Sequence, residues 1–157
     1  MIRRGGVTTT AGGERSIWSV ADGRRGRRVR EAISRGDTLV RTVLLELDPA
    51  GRCTRLELAT AHGLLTLHPD RDGDQLHGNV VGPAGVRHLN FDWSADRELF
   101  VAGSPASTAI VAARGVRTVL RIDDELDPRM EPWDPAGRSD GQVAALTAED
   151  GWPLELD

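Results

Sequence analysis

The chain has 157 residues and a formal net charge of −4, a length that suits one domain able to bury its own core. Its single cysteine, Cys53, excludes an intrachain disulfide and a cysteine-built zinc site, and no apolar run approaches the roughly 18 residues of a membrane-spanning helix. The 20 cationic side chains are all arginine, with no lysine for a phosphate loop.

Charge is unevenly spread. Residues 1–35 carry nine arginines against Glu14, Asp22 and Glu31, whereas 116–157 carry four arginines against eleven acids. A basic head can mark a nucleic-acid contact, but Trp18 is the one aromatic residue there to stack on a base, so attraction between segments of one fold is the simpler reading and no nucleic-acid partner is expected. The start, MIRRGGVTTTAGG, is basic with no apolar stretch behind it, unlike a secretory signal, and the expected compartment is the cytoplasm. Residues 1–13 are expected to be a disordered arm and 14–157 a single β domain.

In chain order, Arg15–Val20 and Arg27–Ile33 read as strands split by the turn at Asp22-Gly23. Asp37–Leu47 and Arg52–Ala59 flank Asp48-Pro49-Ala50-Gly51, where proline presets the turn and glycine closes it, and they predict a hairpin. Short strands follow at Leu64–His68, Gln75–Val81 and Val86–Trp93, separated by PDRDGD and GPAG turns. Ser104–Arg114 breaks the rhythm: Ser104 suits an N-cap and Pro105 a first helical position, though an irregular crossing segment is also compatible. Val116–Asp123 is a further strand, Asp124–Asp140 a proline-bearing loop around Trp133, and Gln142–Ala148 with Trp152–Leu156 a closing hairpin. The pattern predicts a mainly β fold: a curved antiparallel meander forming a half-barrel or open barrel, with at most one short helix near 105–113.

Alternation in the central meander puts Leu65, Leu67, Leu76, Val80, Leu89, Phe91 and Trp93 on one face. The other face receives Leu64, Thr66, His68, Gln75, His77, Asn79, Val81, Val86, His88, Asn90 and Asp92. A four-residue loop from Val81 to Val86 sets Asn79 opposite His88 and His77 opposite Asn90, while a loop over 69–74 sets His68 opposite Gln75. Three histidines then share a face. They can be a solvated or cavity-lining polar surface, a metal site, or acid–base groups in which His77 or His88 works with Asp92. No HxH or HExxH spacing accompanies them, and no cofactor is read. Ser104 and Ser107 lack a nucleophile elbow and suit capping roles; Cys53 suits a half-buried strand; Asp123-Asp124-Glu125 lacks the glycine of a calcium loop.

Asp37–Leu47 is apolar on both sides, with Val40 and Leu44 on one and Leu39, Val43, Leu45 and Leu47 on the other. Such a strand is either covered twice or lines an apolar groove. The two possibilities are a ligand cavity in a curved sheet and a second core layer supplied by the helix-like segment and the long loop.

Several stretches carry a resemblance. VRTVLLELDPAGRCTRLEL (Val40–Leu58), HLNFDWSADRELFVAGSPASTAIVAAR (His88–Arg114), VRTVLRIDDELDPRMEPW (Val116–Trp133) and ALTAEDGWPLELD (Ala145–Asp157) follow one another as strand, turn, strand, proline-bearing segment and closing hairpin. In this order the chain resembles the bacterial glycolipid-binding family, whose half-barrel is similar to that of lipoprotein-localisation factors. Pro105, Ser107 and Arg114 match the family's segment in kind, whereas Ala106, Thr108 and Val111 depart from its aromatic, asparagine and second proline. The resemblance implies a non-catalytic protein that binds a lipid-like or glycolipid amphiphile. In that reading Val40 and Leu44 hold the tail, Ser107, Thr108 and Arg114 meet a polar head, and His77 and His88 line the cavity. The alternative reading is a small enzyme using His77, His88 and Asp92, with or without a metal. A monomer or a homodimer fits either.

Overall fold

The computed structural model describes residues 2–10 and 12–134. Eight strands follow one another in an antiparallel meander: β1 (Ile2–Thr9), β2 (Arg15–Gly23), β3 (Gly26–Arg35), β4 (Thr38–Leu47), β5 (Cys53–Thr60), β6 (Gly63–Pro69), β7 (Gln75–Gly82) and β8 (Gly85–Asp92). The sheet does not close on itself, and among the described residues no strand pairs with the outer edge of β1 or β8, as in a half-barrel. A second sheet of three strands has the order β11-β10-β9: β9 (Arg97–Val101) is parallel to β10 (Thr118–Ile122), and β11 (Arg129–Pro132) is antiparallel to it. The crossover from β9 to β10 is the one helix among the described residues, α1 (Pro105–Arg114).

Period-two patterning decides which face each side chain takes. In β2, Ser16, Trp18 and Val20 are buried while Arg15, Ile17 and Ser19 are exposed; in β4, Arg41, Val43, Leu45 and Leu47 are buried and their neighbours are not. Two bulges keep the phase: Val40 is the extra residue between the Ser34–Leu39 and Ile33–Arg41 pairs, and Thr54 between Leu47–Cys53 and Glu46–Arg55. The buried face packs against β9, α1, β10 and Leu126 in one cluster that includes Leu45, Leu56, Leu65, Leu76, Leu99, Ile110 and Ile122. At Gly6 a Cβ would come within 2.5 Å of the Trp18 ring, so the glycine lets the indole lie over β1.

The helix forms as its residues dictate. Ser104 caps it by accepting from the Ser107 N–H at 3.0 Å, Pro105 opens it, and Gly115 ends it in the left-handed conformation (φ 65°) with Arg114 in the last turn. Ala106 and Ile110 face the main core; Val111 turns to a smaller cluster with Phe100, Val116 and Val119, where Phe100 and Trp133 meet edge to face at 5.0 Å. Beyond the helical layer, Leu126 holds an unusual positive φ of 62° and is fully buried, its carbonyl accepting from Arg87 at 2.9 Å.

Three expectations need correction. The amino-terminal arm is not loose: residues 2–9 are β1, paired with β2 along its whole length, because Val7 and Thr9 alternate with buried Thr8 as a strand requires. β9 was hidden in the run Leu99-Phe100-Val101, which shows no alternation because both of its sides are covered, as in parallel strands generally. The loop over 124–140 contains the short strand β11. The closing hairpin of residues 142–156 lies outside the described residues.

Candidate functional site

The half-barrel has one face packed under α1 and one face that no described element covers. The printed strand registers align a single row across this open face: Val7, Ile17, Ala32, Thr42, Ala59, Leu64, Val81 and Val86, each directly opposite the next on all eight strands. Seven are apolar and Thr42 adds a methyl group. At the 4.7–4.9 Å spacing of neighbouring strands the row is about 34 Å long. Five of its members are open to solvent, Ile17 being 53% exposed and Leu64 42%, while Ala32, Thr42 and Ala59 are half-buried.

Beside this row runs a second: Gly5, Ser19, Arg30, Leu44, Glu57, Thr66, Asn79 and His88. Between the two, across β2 to β6, lies a groove of about 430 Å3 walled by Ile17, Ser19, Arg30, Ala32, Thr42, Leu44, Glu57, Ala59 and Leu64. A third row brings Arg28 opposite Glu46 and Glu46 opposite Arg55. Arg28 is paired with Glu46 at 2.7 Å, and Arg55 with Glu57 in its own strand. β1 to β5 thus place five arginines (Arg3, Arg15, Arg28, Arg30, Arg55) and two glutamates on the open face, a local positive excess in a negatively charged chain.

The expected ligand residues separate. Leu44 lines the groove; Val40, at the bulge, stands outside it. Ser107 and Thr108 are 1% and 2% exposed and belong to the helix start on the covered face: the Ser107 hydroxyl accepts from the Val101 N–H at 2.8 Å, and the Thr108 hydroxyl donates to the Ser104 carbonyl at 2.9 Å. Arg114 donates through Nε to Glu98 at 3.2 Å and through a terminal nitrogen to the Ala95 carbonyl at 2.7 Å. It borders another hollow of about 330 Å3, where Arg52, Arg71 and Arg97 stand among Asp48, Asp72 and Glu98. Head and tail residues read from the sequence therefore do not share one site.

The histidines do share a face. Asn79 is opposite His88, as expected, and their side chains meet at 2.6 Å. His77 is opposite Asn90, but it is also directly opposite His68, whose partner was expected to be Gln75; the β6–β7 turn is centred one residue further along the chain, and the two rings stand 6.3 Å apart. Asp92 receives the Gln75 amide at 3.0 Å, and no described hydrogen bond joins it to a histidine. Among the described residues no cluster of three or more His, Cys, Asp or Glu side chains is arranged to hold a metal ion.

The buried ionisable groups serve the fold. Burial pushes the Glu31 carboxyl up, partly offset by hydrogen bonds from Ser104, Ser16 (2.6 Å) and the Ala106 N–H (3.2 Å), so this strand carboxylate ties β2 and β3 to the start of α1. Arg41, 4% exposed, is held between Glu14 (2.8 Å), Asp124 (2.6 Å) and the Gly103 carbonyl, and those carboxylates raise its pKa. Burial also raises the Cys53 thiol well above its ordinary value, which removes it as a nucleophile.

No family model, no curated protein and no solved structure matches this chain. No helix among the described residues is long and apolar enough to cross a membrane.

The apolar row went unread in the sequence because it is a property of register. Leu64, Val81 and Val86 fall on the polar face by alternation alone, but nothing in a single strand says that they meet Ala59, Thr42 and Ile17 side by side.

Proposed function

We propose that this chain is a non-catalytic binding protein that holds a lipid-like or glycolipid amphiphile against the open face of its half-barrel. The observation that carries the reading is the row of seven apolar side chains and Thr42 crossing eight strands, with a groove along its central part. An extended alkyl chain laid across the strands removes water from both itself and these side chains, at about 0.8 kcal/mol per buried methylene. Leu44 keeps its tail-holding role in this arrangement, whereas the head group falls to residues of the neighbouring polar row rather than to Ser107, Thr108 and Arg114. The likeness to glycolipid-binding half-barrels, noted from the order of segments, points to the same class of ligand.

Native mass spectrometry of the purified protein is the direct test, followed by titration with an environment-sensitive fatty-acid probe. Bound amphiphile or saturable probe binding is expected, and Ile17→Asp with Leu64→Asp should abolish it while the protein stays folded. Probe binding that survives both changes would refute the reading.

A further inference from the structure

Arg30 occupies a singular position on the open face. It lines the groove from β3, one row from Ala32 and directly opposite Ser19 on β2 and Leu44 on β4. The two other arginines near the middle of this face are already neutralised, Arg28 by Glu46 and Arg55 by Glu57. No described side chain pairs with Arg30. The carboxylates nearest it on this face are already held: Glu46, diagonal to it on β4, by Arg28, and Glu57, two strands away and about 10 Å between backbones, by Arg55. A guanidinium at a groove wall, beside a serine hydroxyl and facing an apolar lane, is suited to an anion carried on an alkyl chain, because its planar fork donates two parallel hydrogen bonds to a carboxylate or phosphate.

We propose that the head group is anionic and is selected by Arg30 with Ser19, the tail running from Ala32 across β4 to β8 over Thr42, Ala59, Leu64 and Val81. This rests on the amphiphile-binding reading and adds its specificity. The direction follows from space: from β3 the row extends over five further strands on one side, about 24 Å, but over only two on the other, about 10 Å. The local excess of arginine over glutamate on β1 to β5 favours the same sign of ligand, since the chain as a whole would repel it.

The experiment compares ligands that share one tail. Dodecanoate, dodecyl phosphate, dodecyl maltoside and dodecyltrimethylammonium, each below its micelle concentration, are titrated by calorimetry into the native protein, Arg30→Gln and Arg30→Lys. The native protein is expected to bind at least one of the two anions about tenfold or more tighter than the maltoside, the factor that one charge-assisted contact supplies. Arg30→Gln should erase this preference with an unchanged melting temperature, and Arg30→Lys should restore part of it. Equal binding of all four by the native protein, a preference for the ammonium, or an anion preference that persists in Arg30→Gln would overturn the proposal while leaving amphiphile binding intact. Failure of every dodecyl compound to bind would remove both.

Discussion

The two faces of the half-barrel both carry leucine and valine, yet these side chains have opposite fates on them. Leu64 and Leu65 are neighbours in β6; Leu65 is fully buried under Leu56, Ile110 and the rest of the core, while Leu64 stands 42% exposed. On the covered side, β9, α1 and β10 supply the second layer, so the strand Thr38–Leu47, apolar on both sides, is explained on one side by packing and on the other by an open groove. The contrast teaches that leucine and valine in a strand report a low-polarity environment without saying what provides it. On one face the protein provides it, and on the other a ligand would.

The sharpest way to break the comparison is to put the same charge at adjacent positions. Leu65→Asp removes a fully buried side chain and leaves a carboxylate in the core, a cost of more than about 5 kcal/mol, enough to unfold a domain of ordinary stability. Leu64→Asp should change stability by no more than about 0.5 kcal/mol. Urea denaturation of the two variants measures both. If Leu64→Asp is as damaging as Leu65→Asp, the open face is covered in the folded protein and the groove is not available. Next in size, Arg41→Ala should cost about 3 kcal/mol, because it removes the buried cation that joins Asp124, the Gly103 carbonyl and Glu14, of which only Glu14 keeps a second arginine, Arg35. A loss well under 1 kcal/mol would mean that these groups find water instead.

Much of this architecture was legible from short-range rules. The hairpin at Pro49-Gly51, the β7–β8 register and the helix opened by Ser104 and Pro105 follow from turn chemistry, alternation and capping, all of which act within a few residues. What escaped was set by distant contacts. β1 owes its order to pairing with β2 and to Trp18 lying over Gly6; β9 is a five-residue run whose strand character comes from β10, some twenty residues on. The site was half-legible for the same reason. Leu44 was identified from its own strand, but the groove it lines needs the registers of five strands at once. Ser107 was read both as a capping and as a head-group residue and Thr108 as a head-group residue, and the structure gives both hydrogen bonds at the helix start.

Acid titration probes the covered face through its buried carboxyls. Burial raises the carboxyls of Glu31 and Glu98 above their ordinary 4.5, so the folded state holds these protons more tightly than the unfolded chain does. Their effect is to weaken the fold as pH rises from 4.5 through the folded values, and to restore stability on acidification. Asp22 and Asp124 act in the opposite sense: partial burial of Asp22 is outweighed by Arg27 and Arg4, and Arg41 lowers Asp124, so their contribution is present above 3.8 and is lost as pH falls through the depressed values. The melting temperature should therefore rise as pH falls through the raised folded values toward about 4.5, and fall in stronger acid. Glu31→Gln should flatten the rising part. A melting temperature that only declines from neutrality downward would show that the buried carboxyls do not dominate.

The smallest effects decide between the two faces as ligand sites. Ser107→Ala leaves the Val101 N–H without its acceptor in a buried setting, at a cost of about 1–2 kcal/mol. Thr108→Val should cost less, about 0.5 kcal/mol, because the Ser104 carbonyl still accepts from the Thr108 backbone N–H at 3.0 Å. Neither hydroxyl faces the open side of the sheet, so both variants should bind an amphiphile with native affinity even though one of them melts earlier. A calorimetric titration run well below the melting temperature separates the two quantities. If affinity drops in either variant while the melting temperature holds, the ligand lies against the helix start, and the open row is a surface with another purpose.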